Sequence, residues 1–481
     1  MFEWREFPIP GTAAPFADSG FATAQAAYRT AEGEEPPPPP AAAGPAIPGG
    51  APPFDSPRFA SPETTDDRSG DEKTSDSSAE KPAPEKPAEK KWYDKYRVGG
   101  YAQFRFNETT HLAPGSAPPQ HAGDSSVSDD ETFIIRRARL IFSGDISDHL
   151  FVYLQPDFAA SVPGSPDANH FVQIRDWYGD VYLDKEKVNR FRVGQSKVPY
   201  GWENLQSSSR RAPFDRNDAF NSATRNERDL GVFYYWTPEY VQDVFEYLSD
   251  NNLKDSGNYG AFGTGIYAGQ GGSLREQNDN VHFVSRFTWP FMFENRQVVE
   301  LGIQGYTGEY TVLGSPIRPL GIGSEDIVPL GTRDTGGRDG HLDQRLGWSF
   351  IWYPQPLGFQ AEWTIGRGPA LNDTQTAIET RALYGGYAMF LYKLDSSIGT
   401  WFPFIRWQYF QGGYKSFRNA PYSKINELEL GIEWQIRKEM ELTLMYTFTD
   451  RTNLDAMAGA GRTSYDQFDG QLVRVQFQVN Y

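Results

Sequence analysis

Basic side chains recur in this sequence at spacings suited to holding oxyanions. Arg137 and Arg139 stand two residues apart, Arg105 stands two from Gln103, and Arg474 sits in the unbroken alternation Val473-Arg474-Val475-Gln476-Phe477-Gln478-Val479. In an extended strand, residues two apart share one face. A second concentration, Lys197, Arg210, Arg211, Arg216, Arg225 and Arg228, is opposed in its own stretch by Glu203, Asp215, Asp218 and Glu227, a local excess of +2 in a chain of net charge -17. Planar guanidinium groups match phosphate geometry and replace part of an anion's hydration shell, whereas lysine binds as a less directional point charge. Catalysis finds no comparable constellation. The six histidines stand mostly in loops and form no HExxH pattern, and the absence of cysteine removes thiolate metal sites, disulfides and thiol nucleophiles together. The chain reads as a non-enzyme with no cofactor and no metal.

The elements that must position these groups are strands. Ala102, Phe104 and Phe106 alternate with Gln103, Arg105 and Asn107, and Ala138, Leu140 and Phe142 with Arg137, Arg139 and Ile141. Similar segments run through Leu346, Trp348, Phe350 and Trp352, through Leu428, Leu430, Ile432 and Trp434, and through Val473 to Tyr481. Each is about one bilayer crossing, since a tilted strand needs roughly ten residues. An arginine on the lipid side costs roughly 2–4 kcal/mol at the midplane. Parity therefore points Arg105, Arg137, Arg139 and Arg474 into the lumen, as a contiguous basic wall once the first, second and last strands meet. Mean hydropathy of -0.60 with abundant aromatics fits strands whose second face is wet. No run approaches the roughly 20 apolar residues of a membrane helix, and the acidic total argues against a nucleic-acid partner.

Connections alternate in length. Those near 144–147, 184–188, 354–356, 395–399 and 437–439 are short, and those near 108–131, 196–228, 310–343, 412–425 and 450–469 are long. Bacterial barrels keep periplasmic turns short and outer loops long, so both chain ends come out periplasmic and the strand number is even. Val241, Val244, Phe245 and Leu248 lie at i, i+3, i+4 and i+7 after Thr237 and Pro238, which predicts a short helix with Thr237 as N-cap and Pro238 at its first position. With that stretch helical, the expectation is an all-β fold: a 16-stranded antiparallel transmembrane β-barrel, wide enough for an aqueous channel.

Residues 1–91 form a separate unit, holding 17 of the 35 prolines and little that could build a core. This Pro/Ala/Glu-rich stretch reads as a disordered periplasmic segment, followed by the barrel at 92–481. Its opening Met1-Phe2-Glu3-Trp4 has neither a basic nor an apolar signal region, so the export signal is expected upstream.

The sequence resembles the phosphate-selective porin O and P family of bacterial outer-membrane proteins. The resemblance rests on Arg136-Arg137-Ala138-Arg139-Leu140, Ile174-Arg175-Asp176-Trp177-Tyr178, Val193-Gly194-Gln195-Ser196-Lys197-Val198-Pro199-Tyr200-Gly201 and Asn226-Glu227-Arg228-Asp229-Leu230-Gly231-Val232, in that order. It implies a homotrimeric pore whose third loop folds inward and whose arginines and lysines guide anions. By matching position it adds Lys197 and Asp176 as constriction candidates, with Arg175 beside them. Outer-membrane lipid, lipopolysaccharide and the outer-membrane assembly machinery are the expected partners.

The resulting expectation is an outer-membrane channel for small anionic solutes, with phosphate or polyphosphate suggested by the resemblance. Two alternatives stand beside it. Arginine rows paired across the lumen with Glu362, Glu429 and Glu433 make a general, non-selective porin, and a proline-rich arm makes a structural barrel tethered to the envelope. Tyr153, Tyr182 and the other aromatics read as girdle or packing residues.

Overall fold

The computed structural model describes residues 92–117, 121, 124, 127, 132–160, 171–272, 274–314, 335–454 and 466–481. The expected segment 1–91 lies outside the described residues. After a 3-10 turn at Trp92–Lys95 come β1 (Tyr96–Leu112), β2 (Thr132–Ser147), β3 (Leu150–Ala160), β4 (Phe171–Tyr182), β5 (Asn189–Lys197), β6 (Arg228–Trp236), β7 (Phe262–Tyr267) and β8 (His282–Met292). The second half comprises β9 (Val298–Tyr310), β10 (His341–Trp352), β11 (Leu357–Leu371), β12 (Ile378–Tyr392, prolonged by Leu394–Ser396), β13 (Gly399–Gly413), β14 (Tyr422–Arg437), β15 (Met440–Leu454) and β16 (Asp466–Asn480). Each pairs antiparallel with its neighbours in sequence, and β1 pairs with β16 from Tyr101↔Asn480 to Leu112↔Gly470, so the ring is closed with 16 strands.

Burial shows which way the faces point. On β10, Leu346, Trp348 and Trp352 are exposed while Asp343, Arg345 and Ser349 are buried. The same inversion holds on β1, where Phe104 is exposed and Gln103, Arg105 and Asn107 are not. Apolar outside and polar inside is the reverse of a water-soluble domain and is what a barrel in lipid requires. Connections at one end are short, such as 148–149, 397–398 and 438–439, and those at the other include 198–227 and 311–340.

The predicted helix is α3, Glu239–Asp250, with Val241, Val244, Phe245 and Leu248 buried as their spacing requires. Its N-cap is Pro238 rather than Thr237, one residue later than expected, and no side chain caps it. Those four residues pack with Trp202, Leu253, Ile351 and Tyr353, so the helix turns into the barrel from the short-turn end.

Loop 198–227 carries two single-turn helices, α1 (Trp202–Leu205) and α2 (Asp218–Asn221), and lies across the lumen. Its bonds reach inward-facing side chains well around the ring. The Trp202 and Glu203 N–H groups donate to the two oxygens of Glu362 on β11, at 2.6 and 2.8 Å. Arg406 on β13 donates to Glu203 at 2.7 Å, and Arg451 on β15 donates to Asp218 at 2.8 Å. Asn217 caps α2 by accepting from the Phe220 N–H. Apolar packing reinforces these bonds: Tyr200 and Phe220 join Phe233, Tyr306, Leu383 and Phe410, and Phe214 joins Tyr387, Met389 and Phe402.

Glu362 is therefore an anchor of the loop. Glu362→Ala leaves two buried N–H donors unmet, at about 1–3 kcal/mol each. The expected outcome is a lower thermal unfolding midpoint in detergent together with higher and noisier single-channel conductance; an unchanged current trace would show that the loop is held elsewhere.

Candidate anion-binding constriction

Two strand bulges place the arginines. Between β1 and β2 the register passes from Gln103↔Arg137 to Phe104↔Ile135, so that Arg136 is the extra residue of a bulge. Between β3 and β4 it passes from Gln155↔Asp176 to Pro156↔Ile174, leaving Arg175 unpaired. A bulge adds one residue to one strand and lets two neighbouring side chains share a face. Both Arg136 and Arg137 thus face the lumen, as do both Arg175 and Asp176. Strict alternation puts Arg136 in lipid, and this is the residue that sequence reading missed. The signal was present, since two adjacent arginines in a membrane strand cannot both face inward without a bulge.

Arg137, Arg139, Arg175, Arg211, Arg216 and Arg225 line a single cavity of about 320 Å³ with Arg136, opposed by Asp215 and Glu227. Even when Asp124 and Asp157 are added, because they pair with Arg136 and with Arg139 and Arg175, three positive charges remain in excess. Arg137 donates to Gln103 at 2.7 Å and Arg211 to the carbonyls of Pro213 and Phe214. Neither forms an ion pair among the described residues. Arg137 Nε and Arg211 Nη1 are buried donors with no partner. Buried guanidinium donors without a partner also occur at Arg190, Arg286, Arg406 and Arg474, but those side chains are ion-paired through their other atoms, whereas no carboxylate pairs with Arg137 or Arg211 among the described residues.

Arg139, Asp176, Lys197, Arg210 and Arg228 line a second cavity of about 720 Å³ toward the short-turn end. A bonded string joins the two: Arg228 donates to Asp176 at 2.9 Å and to Glu227 at 2.9 Å, and Arg216 donates to Glu227 at 2.7 Å. Lys197 gives its protons to the carbonyls of Leu205 and Gln206, so it closes the end of α1 while lining this cavity. Arg210 is half exposed and pairs with Asp255.

Arg105 and Arg474 depart from the expected basic wall. Both point inward but are fully buried behind the loop, and both pair with Asp124 and Asp215 at 2.6–3.2 Å. The guanidinium groups also lie over the Phe214 ring. Neither lines the two cavities just described, because sequence parity fixes direction but not what the loop brings to meet a side chain. Of the two roles expected for Tyr153, girdle or packing, it takes packing: it stacks on Tyr178 and lines the lumen cavity.

A family model for the phosphate-selective porin O and P matches residues 119–481. The chain belongs to this family. The porin is an outer-membrane β-barrel channel, a family of channels rather than enzymes. Among solved structures it is similar to the outer-membrane channel DcaP of Acinetobacter baumannii, at 13% identity over 80% of this chain and 97% of that one, with a TM-score of 0.48. It is also similar to OmpT of Vibrio cholerae, at 9% identity over 81% and 98% with a TM-score of 0.47, and to OmpF of Salmonella typhi in complex with daunomycin, at 13% over 80% and 97% with a TM-score of 0.46. No curated protein sequence matches the chain.

The charges of Glu227, Asp215 and Arg211 are insensitive to pH near neutrality. Burial works to raise the Glu227 carboxyl, but Arg216, Arg228 and Arg175 outweigh it and hold it below the usual carboxylate range. Burial likewise opposes ionisation of Asp215, and Arg105 and Arg474 prevail. Burial, then the neighbouring Arg216, pushes Arg211 down to about 9, which leaves it charged at neutral pH. Depressed carboxylates lose their charge only as pH falls through the folded value. Zero-current potentials in a salt gradient should therefore stay flat between about pH 5 and pH 8; a drop near pH 6 would show that these groups do not set the field.

Proposed function

We propose that the porin conducts small anionic solutes and binds oxyanions, phosphate among them, at the arginine cluster between the β2–β5 wall and loop 198–227. The carrying observation is the cavity lined by seven arginines and two carboxylates, with buried donors on Arg137 and Arg211 left unmet. Much of the rest of the described lumen is charge-paired: Arg406 with Glu203 and Glu429, Lys254 with Glu433, Arg286 with Glu300. Pairing of that kind favours neither sign, so the excess at the cluster sets selectivity. Charges lining a narrow, water-poor passage act far more strongly than charges in bulk water.

The same reading includes the family's homotrimer and delivery by the outer-membrane assembly machinery. Lipid contact is supported by the exposed apolar face, with lipopolysaccharide at the long-loop rim. The same reading assigns the segment 1–91 to the periplasmic side.

Purified channels in planar bilayers test the proposal. The zero-current potential in a chloride gradient should have the sign of an anion-selective pore, and phosphate should block the current in a saturable way. Arg137→Gln should weaken phosphate block about tenfold, the scale of one charge-assisted hydrogen bond, while Lys197→Gln, whose protons are bound to carbonyls, should change it less. A cation-selective potential overturns the reading; anion selectivity without saturable block reduces it to a general anion porin.

A further inference from the structure

Resting on that anion reading, we infer that the solute is an organic anion, a phosphorylated polyol of sugar-phosphate size, whose uncharged body is received by the 720 Å³ cavity below the arginine cluster. The two cavities differ in chemistry. The upper one carries seven cations against two anions. The lower one carries Arg139, Arg192, Lys197, Arg210 and Arg228 against Asp176, Glu246, Asp250 and Asp255, so it is nearly balanced. A compartment for bare ions has no reason to give up its net charge immediately after the step that concentrates them.

What replaces charge in the lower cavity is hydroxyl and ring. Ser207, Ser208 and Ser209 line it together with Tyr153, Tyr178 and Tyr259. Tyr153 and Tyr178 stack with centroids 5.1 Å apart and planes 14° from parallel. Arg192 is seated 3.8 Å over the Tyr178 ring and is held from behind by two bonds to Asp180, at 2.7 and 2.8 Å. This clamp fixes a tyrosine platform at the wall, where girdle tyrosines would face lipid. Tyrosine offers an apolar face and a polar edge at low entropic cost, and serine hydroxyls donate and accept equally. Such a surface suits a polyol, which is polar, uncharged and ring-faced. The volume falls in the roughly 300–1,000 Å³ range of pockets for organic ligands. The shared Arg139 and the Asp176–Arg228–Glu227–Arg216 string put a phosphate and its organic body within one continuous set of contacts.

The test uses the full-length porin in planar bilayers and compares inorganic phosphate with glucose 6-phosphate as blockers of chloride current, at matched pH and ionic strength. Glucose 6-phosphate should half-block at a concentration about fivefold lower, the worth of one or two neutral hydrogen bonds. The double variant Tyr153→Phe, Tyr178→Phe should bring the ratio toward one, and Ser207→Ala with Ser208→Ala should do so independently should the first fold poorly. Equal block by both solutes in the wild type, or a ratio unmoved by both pairs of substitutions, overturns the inference and leaves the anion reading standing. A cation-selective zero-current potential with no block by either solute overturns the anion reading itself.

Discussion

Charged side chains in the middle of this barrel have only one direction available to them. A guanidinium facing lipid at the midplane costs roughly 2–4 kcal/mol, so the arginines of the strands turn inward, and where two fall side by side the strand bulges rather than expose one. Desolvating a charge in the lumen is itself costly unless a partner meets it. That second demand is met by loop 198–227 and by the segment that follows α3, which carry Glu203, Asp215, Asp218 and Lys254 to side chains on the wall. The interior is thus organised as a set of ion pairs between wall and filling.

Selectivity then resides in what pairing leaves over. Apolar packing holds the loop against the lumen faces of β6–β15, and the remaining passage runs beside β2–β5. There the carboxylates are outnumbered, and Asp157 and Glu227 each serve two arginines. Their role is positional: they keep long, flexible side chains in one geometry so that an arriving anion meets donors already placed. Preorganised donors of this kind lose little entropy when an ion binds.

Much of the barrel was legible in the sequence because the constraints that make it are local. Period-2 alternation marks strands such as β10 and β16, and the i, i+3, i+4, i+7 spacing at Val241 to Leu248 separates α3 from a strand and so fixes an even strand number. The inward direction of Arg105, Arg137, Arg139 and Arg474 followed from parity. The pairing of those side chains did not. Arg406 meets Glu203 and Arg451 meets Asp218 across roughly half the chain, and only ring closure brings them together. Asp124 shielding Arg105 and Arg474 from a long loop left no periodic trace. The slip at Arg136 was readable from energy rather than pattern, because only a lipid-exposure penalty distinguishes a bulge from a regular strand.

The seam between β1 and β16 carries a consequence for how the molecule comes into being. Tyr101 pairs with Asn480, and the backbone groups of Gly100 and Tyr481 bond to each other at 2.7 and 3.0 Å. The first strand to leave the ribosome must therefore remain unpaired on one edge until the last has arrived, which is the greatest sequence separation between any two strands of this barrel. Contacts so distant form slowly and leave a sticky edge in the interval. A chain cut short near residue 470 would keep β1 to β15 and still lack a cylinder, exposing two open edges where the finished protein has none.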